Sequence, residues 1–199
     1  MDMQIQNGNY LMTYVQHNTK STNLNGRFWF SKGFYKHHFK TSCGITATYS
    51  DGEQYTGGKV LSYEYRSLTL SPSLTYSPSW AYISYNGDFI MSKSSFDNAS
   101  LASRFNWKQS LTLTSTIRKV DLSLSGIYYH NQLEGATLNT FLANAKVTWR
   151  QKNFLIFATL SNLFDKRNYI ETSYNGIGVF TNSYELRPRE LIISCEFSF

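Results

Sequence analysis

Period-two alternation, frequent short turns and no sustained helical periodicity predict an all-β chain. These observations point to an antiparallel sheet of about ten strands, and the composition and face distribution set out below make a transmembrane β-barrel its expected architecture. Asn/Gly/Ser/Asp clusters near 18–26, 50–58, 86–88, 97–100, 130–137, 150–153 and 165–178 punctuate the chain. Prolines stand only at Pro72, Pro78 and Pro188. The connections are too short for crossovers, so neighbouring strands run antiparallel.

In chain order, extended segments fall at 10–17, 24–34, His37–Ser50, 59–70, 74–85, 88–96, Leu101–Arg118, 119–130, Asn139–Arg150, 153–162 and Arg189–Phe199. Three show the pattern most clearly. In His37–Ser50, Phe39, Cys43, Ile45, Ala47 and Tyr49 alternate with Lys40, Ser42, Thr46 and Thr48. In Leu101–Arg118, Phe105, Trp107, Leu111, Leu113 and Ile117 alternate with Arg104, Asn106, Lys108, Ser110 and Thr112. In Asn139–Arg150, Phe141, Ala143, Ala145, Val147 and Trp149 alternate with Asn144, Lys146, Thr148 and Arg150. The phase slips near Ser67 and around Ser77–Trp80, where a bulge is expected beside Pro78. Arg118–Lys119–Val120 and Arg150–Gln151–Lys152–Asn153 read as tight turns. The stretches 50–58, 97–100, 131–137 and 165–182 read as longer loops. The last strand carries Leu191, Ile193, Cys195, Phe197 and Phe199 on one face.

Composition separates the possible classes. Of 199 residues, 41% are hydrophobic, 17% aromatic and only 16% charged. About a quarter charged is usual for a soluble domain. Fifteen Tyr and fourteen Phe suit a surface that meets a membrane boundary. Mean hydropathy is −0.37, and no run reaches the roughly 18 apolar residues of a spanning helix. A barrel strand needs apolar residues only at alternate positions. Alternation alone does not say which face is wet, since a soluble β-barrel binding module turns its apolar residues inward. The polar face is rich in Thr, Ser, Asn, Lys and Arg. Aromatics gather at strand ends, as with Tyr49, Phe105, Trp107, Trp149 and the Tyr128–Tyr129 pair. Both features favour the membrane barrel, with lipid on the side of Phe105, Trp107, Val147 and Phe197.

The net charge of +6 comes without any Lys/Arg run, so no nucleic-acid partner is expected. Lys40, Arg66, Arg104, Lys108, Arg118, Lys146 and Arg150 lie on the presumed lumen side, with Glu64 opposed, as candidate substrate-binding residues that would draw an anionic solute. Charges that merely keep the wall hydrated are the plainer alternative. Cys43 and Cys195 read as small apolar residues. His37 and His38 are adjacent and point to opposite faces of a strand. His130–Asn131 comes with no nucleophile. No metal, cofactor or enzymatic activity is expected. Met1–Val15 lacks the pattern of a signal peptide. The expectation for an exported protein is then a removed signal or a piece of a longer chain.

The last fifth of the sequence carries a resemblance. Asn162, Leu163, Phe164, Asp165 and Lys166 close a strand, and Tyr169 follows. Tyr184, Arg187, Pro188 and Arg189 lead into a final strand that ends in Phe. This run resembles the C-terminus of TonB-dependent outer-membrane receptors. The resemblance implies the C-terminal portion of such a receptor's barrel, in the cell outer membrane and taking up a nutrient. It implies Phe197 and Phe199 as an assembly signal read by the barrel assembly machinery, outer-membrane lipid around the barrel, and a TonB-type energy-coupling protein as partner. Residues 1–199 hold no plug domain and too few strands for the whole receptor. The alternative within the membrane is a small structural or adhesive barrel without transport.

Overall fold

The computed structural model describes residues 2–6, 9–13, 20–56, 59–97, 99–100, 103–133, 136–174 and 179–197. Its strands are β1 (Asp2–Gln6), β2 (Asn9–Thr13), β3 (Ser21–Phe34), β4 (Phe39–Thr56), β5 (Lys59–Tyr76), β6 (Ala81–Phe96) and β7 (Ala99–Ser100). There follow β8 (Arg104–Ile117), β9 (Val120–Leu133), β10 (Ala136–Gln151), β11 (Phe154–Ser161), β12 (Asn168–Tyr174), β13 (Val179–Glu185) and β14 (Glu190–Phe197). The fold is all-β and antiparallel. One sheet runs in the order β14-β11-β10-β9-β8-β6-β5-β4-β3, with β7 beside β6. The β1–β2 and β12–β13 hairpins are separate. The sheet does not close: the outer sides of β3 and β14 have no strand partner among the described residues.

The register sorts the residues cleanly. One row of register partners crosses all nine strands through Phe34, Phe39, Tyr76, Ile83, Leu113, Leu124, Ala145, Leu160 and Leu191. Every member is apolar or aromatic. Because side chains alternate along a strand, the same face carries Ile45, Leu68, Leu70, Phe89, Leu111, Leu122, Phe141, Val147, Ile156 and Ile193. The opposite face carries Ser42, Thr46, Ser73, Asn86, Thr112, Ser125, Asn144 and Thr148.

Burial is inverted relative to a water-soluble sheet. The buried polar residues Ser42, Ser92, Asn106, Asn131 and Thr148 lie on the polar face. Leu111 (51% exposed), Leu124 (47%) and Ile193 (67%) stand open on the apolar face. Among the described residues no large side chain is fully buried. The sheet therefore has no sealed apolar core of its own.

Several expectations need correction. The predicted turn at Asn86–Asp88 lies inside β6, so segments 59–70, 74–85 and 88–96 form two long strands, not three. Asn86 and Asp88 face the polar side, where Ser73 and Ser71 donate hydroxyl hydrogen bonds to them at 2.8 and 2.7 Å. Polar residues in mid-strand thus satisfy one another across adjacent strands. There is no bulge at Ser67, because the β5–β6 register is constant from Tyr63 to Tyr76. The slip at Ser77–Trp80 is the β5–β6 turn, closed by the Ala81 N–H donating to the Pro78 carbonyl at 3.3 Å. Residues 50–56, 131–133 and 136–137 are strand, with 57–58 and 134–135 outside the described residues. Their polar composition reflects contact with water, not loss of pairing. His37 lies in a short 3-10 turn, Tyr35–His37, and His38 takes a left-handed conformation (φ 52°), so neither is on a strand. The expected loop 165–182 contains most of the β12–β13 hairpin.

Close approach explains one glycine. Gly44 pairs with Trp29, whose ring would lie 2.8 Å from any added Cβ. The indole covers the strand backbone where no side chain fits.

Candidate polar-face site and its apolar reverse

The turns at 35–38, 77–80, 118–119 and 152–153 mark one end of the sheet, the short-turn end. At the other end, the chain between β11 and β14 folds back as a hairpin. β11 stops at Ser161, midway along β10. There Asn162 (φ 50°) organises the exit. Its side-chain amide donates to the Lys166 and Arg187 carbonyls at 2.7 and 2.8 Å, and its Oδ1 accepts the Lys166 N–H at 3.0 Å. Its own N–H donates to Asn144 Oδ1 at 2.9 Å. Asp165 accepts the Arg189 N–H at 2.8 Å and pairs with Arg167 at 3.2 Å. The Arg189 N–H, with Arg167 adding to it, holds the Asp165 carboxyl below the usual carboxylate range. The short polar side chains of this segment thus tie both strands of the loop to the sheet.

The hairpin meets the polar face at β9. Asn131 Nδ2 donates to the Ile170 carbonyl at 2.9 Å. Tyr169 is buried, with its ring 4.5 Å from Tyr129 and 5.8 Å from Tyr184. Burial first, then the neighbouring Tyr129 and Glu171, pushes the Tyr169 phenol well above its ordinary value, so it stays a neutral hydroxyl. Lys108 Nζ lies 5.2 Å from the Tyr129 ring centroid. Thr172 is buried with its hydroxyl oxygen unpartnered. Stacked phenols, an amide and a cation make a surface that can hold a flat or ring-shaped polar solute.

The predicted lumen residues do not form one cluster. Lys40, Arg104, Lys108, Lys146 and Arg150 lie on the polar face, spread along its height. Of these, Lys108 reaches the hairpin cluster, over the Tyr129 ring. Lys146 sits over the Phe157 ring at 5.0 Å. Arg150 pairs with Asp121 at 2.7 Å near the short-turn end, where Thr116 also donates to Asp121 at 2.8 Å. Arg66 is a correction: it pairs with Tyr49 and Lys93 and shares the face of Leu68. Its partner Glu64 is on that same side. Arg118 is also a correction. It occupies the β8–β9 turn with φ 57°, because a two-residue hairpin needs a left-handed residue there. The clustering of Tyr129, Asn131, Tyr169 and Tyr184 escaped the sequence reading. Its one signal was the alternation within residues 168–174 and 179–185, obscured by their loop-like composition.

On the reverse side, aromatics mark both margins of the apolar band. Phe34–Phe39, Trp149–Phe154 and Phe154–Phe197 pair towards the short turns, at 6.0, 5.3 and 6.3 Å. Phe105–Trp107, Trp107–Tyr128 and Phe141–Phe164 pair at the far margin, at 4.9, 6.4 and 5.1 Å. There His130 stacks on Trp107 at 3.8 Å, on the face opposite Asn131. Phe197 is 66% exposed, and Phe199 lies outside the described residues. Cys43 and Cys195 are both free. Among the described residues no group of His, Cys, Asp and Glu could hold a metal. No family model, no curated protein and no solved structure matches the chain.

Proposed function

We propose that this chain is part of an outer-membrane β-barrel resembling the C-terminal portion of a TonB-dependent receptor, and serves nutrient uptake across the outer membrane. The observation that carries the membrane reading is the apolar row running through all nine strands, exposed on a sheet without a sealed core. An open apolar face of this extent calls for lipid or a partner. Among the described residues no segment covers it.

The stagger of the turns supports the same reading. Along the row from Phe39 to Leu160, the hairpin ends lie at the row itself on β4. They lie four residues beyond it on β8 (Leu113 to Ile117) and six beyond it on β11 (Leu160 to Phe154), six strand gaps from β4. If the hairpins share one level, six residues at about 3.3 Å, over six gaps of about 4.8 Å, give a strand tilt of roughly 35°. Membrane barrels tilt by about 35–45°.

Strand polarity bears on closure. β3 and β14 both run towards the short turns, so pairing them directly would create a parallel contact in an antiparallel barrel. An odd number of further strands between these edges restores alternation, as expected for a portion of a larger barrel. The polar face, with the tyrosine-lined hairpin over it, would be the lumen wall, and the solute would be met there. Phe197 and Phe199 would be read by the assembly machinery, and a TonB-type protein would supply energy.

Two experiments test this. The chain is exported with an added signal peptide, and the outer-membrane fraction is examined for heat-modifiable gel migration and for cross-links. In a Cys43→Ser background, Leu24→Cys or Phe28→Cys on β3 should form no disulfide with Cys195 of β14. A cross-link in a folded monomer defeats the odd-strand argument. Deleting the coding sequence from its host should abolish energy-dependent uptake of at least one scarce solute. Assembly without any uptake defect refutes transport and leaves the structural or adhesive barrel.

A further inference from the structure

The upper margin of the apolar face, away from the short turns, carries an unusual sequence of rows. Leu68, Met91 and Phe105 form one row across β5, β6 and β8. The next row places Arg66 directly opposite Lys93. The row beyond pairs Asp51 with Glu64. Like charges directly opposite each other repel. Arg66 is partly compensated: it pairs with Glu64 and lies 5.6 Å from the Tyr49 ring centroid. Lys93 faces another cation. A shallow groove of about 320 Å³ runs between Arg66, Leu68, Met91, Lys93, Ser103 and Phe105. Leu68 and Met91, on its floor, are 45% and 57% exposed.

We propose that this groove holds a membrane lipid bearing a phosphate, with the phosphate between Arg66 and Lys93 and an acyl chain along Leu68, Met91 and Phe105. This rests on the membrane reading above, which places these residues where hydrocarbon gives way to headgroups. The order of rows, apolar then cationic, matches the order of chain then phosphate in such a lipid. Two cations around one phosphate oxygen cluster relieve their mutual repulsion and gain charge-assisted hydrogen bonds. A free anion would use the cations but leave the apolar floor uncovered, so the lipid is the occupant that matches both halves.

The test uses the full chain folded in detergent micelles and counts lipids retained in native mass spectra. The probes are phosphatidic acid and a diacylglycerol with the same acyl chains. Phosphatidic acid should be retained about tenfold more, since each surface cation near a lipid phosphate contributes roughly a fivefold gain and Glu64 offsets part of it. Arg66→Gln with Lys93→Gln should erase the preference. Glu64→Gln should increase it a few-fold, because it frees Arg66, and it keeps the test decisive if the double variant does not fold. Equal retention of the two lipids overturns the proposal. So does a Glu64→Gln variant that loses the preference, which would mark the pair as structural. Displacement of the lipid by excess inorganic phosphate assigns the cations to a free anion and also overturns it. A chain that does not fold in detergent overturns the membrane reading itself, and this inference with it. A folded chain without preference overturns this inference alone.

Discussion

Replacing Leu124 by Arg measures directly what touches the apolar face. Leu124 lies midway along the β9 stretch from Val120 to Tyr128, between Leu113 of β8 and Ala145 of β10. That stretch is about eight residues, roughly 26 Å along the strand, and at a tilt near 35° it rises about 22 Å. The apolar band of a membrane barrel is about 25 Å tall. Leu124 is therefore at the mid-plane and Val120 at the lower margin. An arginine at the mid-plane costs about 2–4 kcal/mol, and near the interface about 0–1 kcal/mol. Leu124→Arg should thus shift the folded-to-unfolded ratio roughly 30- to 900-fold. Val120→Arg should shift it by no more than about fivefold. Ser125→Arg, one residue on but facing the polar side, should stay within about 0.5 kcal/mol of the parent. The assay is reversible urea unfolding in phospholipid vesicles, followed by tryptophan emission and by the heat-modifiable band. The reasoning is refuted if Leu124→Arg is no worse than Ser125→Arg, or if Val120→Arg costs as much as Leu124→Arg. A chain that folds in plain buffer refutes it outright.

Other outcomes follow from the β11 exit. Asn162→Ala removes three side-chain hydrogen bonds and puts a Cβ-bearing residue without local bonding at φ 50°; it should cost about 2–4 kcal/mol. Asn162→Gly, which tolerates that conformation, should cost about 1 kcal/mol less in the same unfolding assay. Asp165 has a depressed pKa in the folded state. Its contribution is present above the ordinary value of about 3.9 and lost as pH falls through the lowered folded value. Proteolysis of the β12–β13 hairpin, measured from pH 6 down to pH 2, should accelerate in that window in the parent. It should be flatter with pH in Asp165→Asn, and an unchanged profile would exclude Asp165 as the acid-sensitive tie.

The two-residue turns at 118–119 and 152–153, and the faces of β4, β8 and β10, were legible because backbone alternation and short polar connections are local properties. The failures share one cause. Asn86–Gly87–Asp88 has turn composition, yet the backbone there is paired throughout with β8 and at Asn86 with β5, and Ser71 and Ser73 of β5 meet its polar groups. Residues 165–182 look like a loop because their polarity suits water, although Val179–Glu185 pairs with Asn168–Tyr174. Arg66 was assigned to the wrong face because phase was carried across an irregular stretch, and only the pairing with Tyr49 and Lys93 resolves it.

By itself, the sequence determined that the chain is all-β, antiparallel and two-faced, since alternation with period two is a property of the extended backbone and needs no partner strand. Only the tertiary structure decided that the apolar halves of nine strands fall into common rows, that β3 and β14 remain open and co-directional, and that Tyr169 comes to rest on Tyr129. Those facts depend on inter-strand register and on long-range contact between segments about 40 residues apart. Such contacts are governed by summed packing and hydrogen bonding over the whole sheet, which no local stretch of residues encodes.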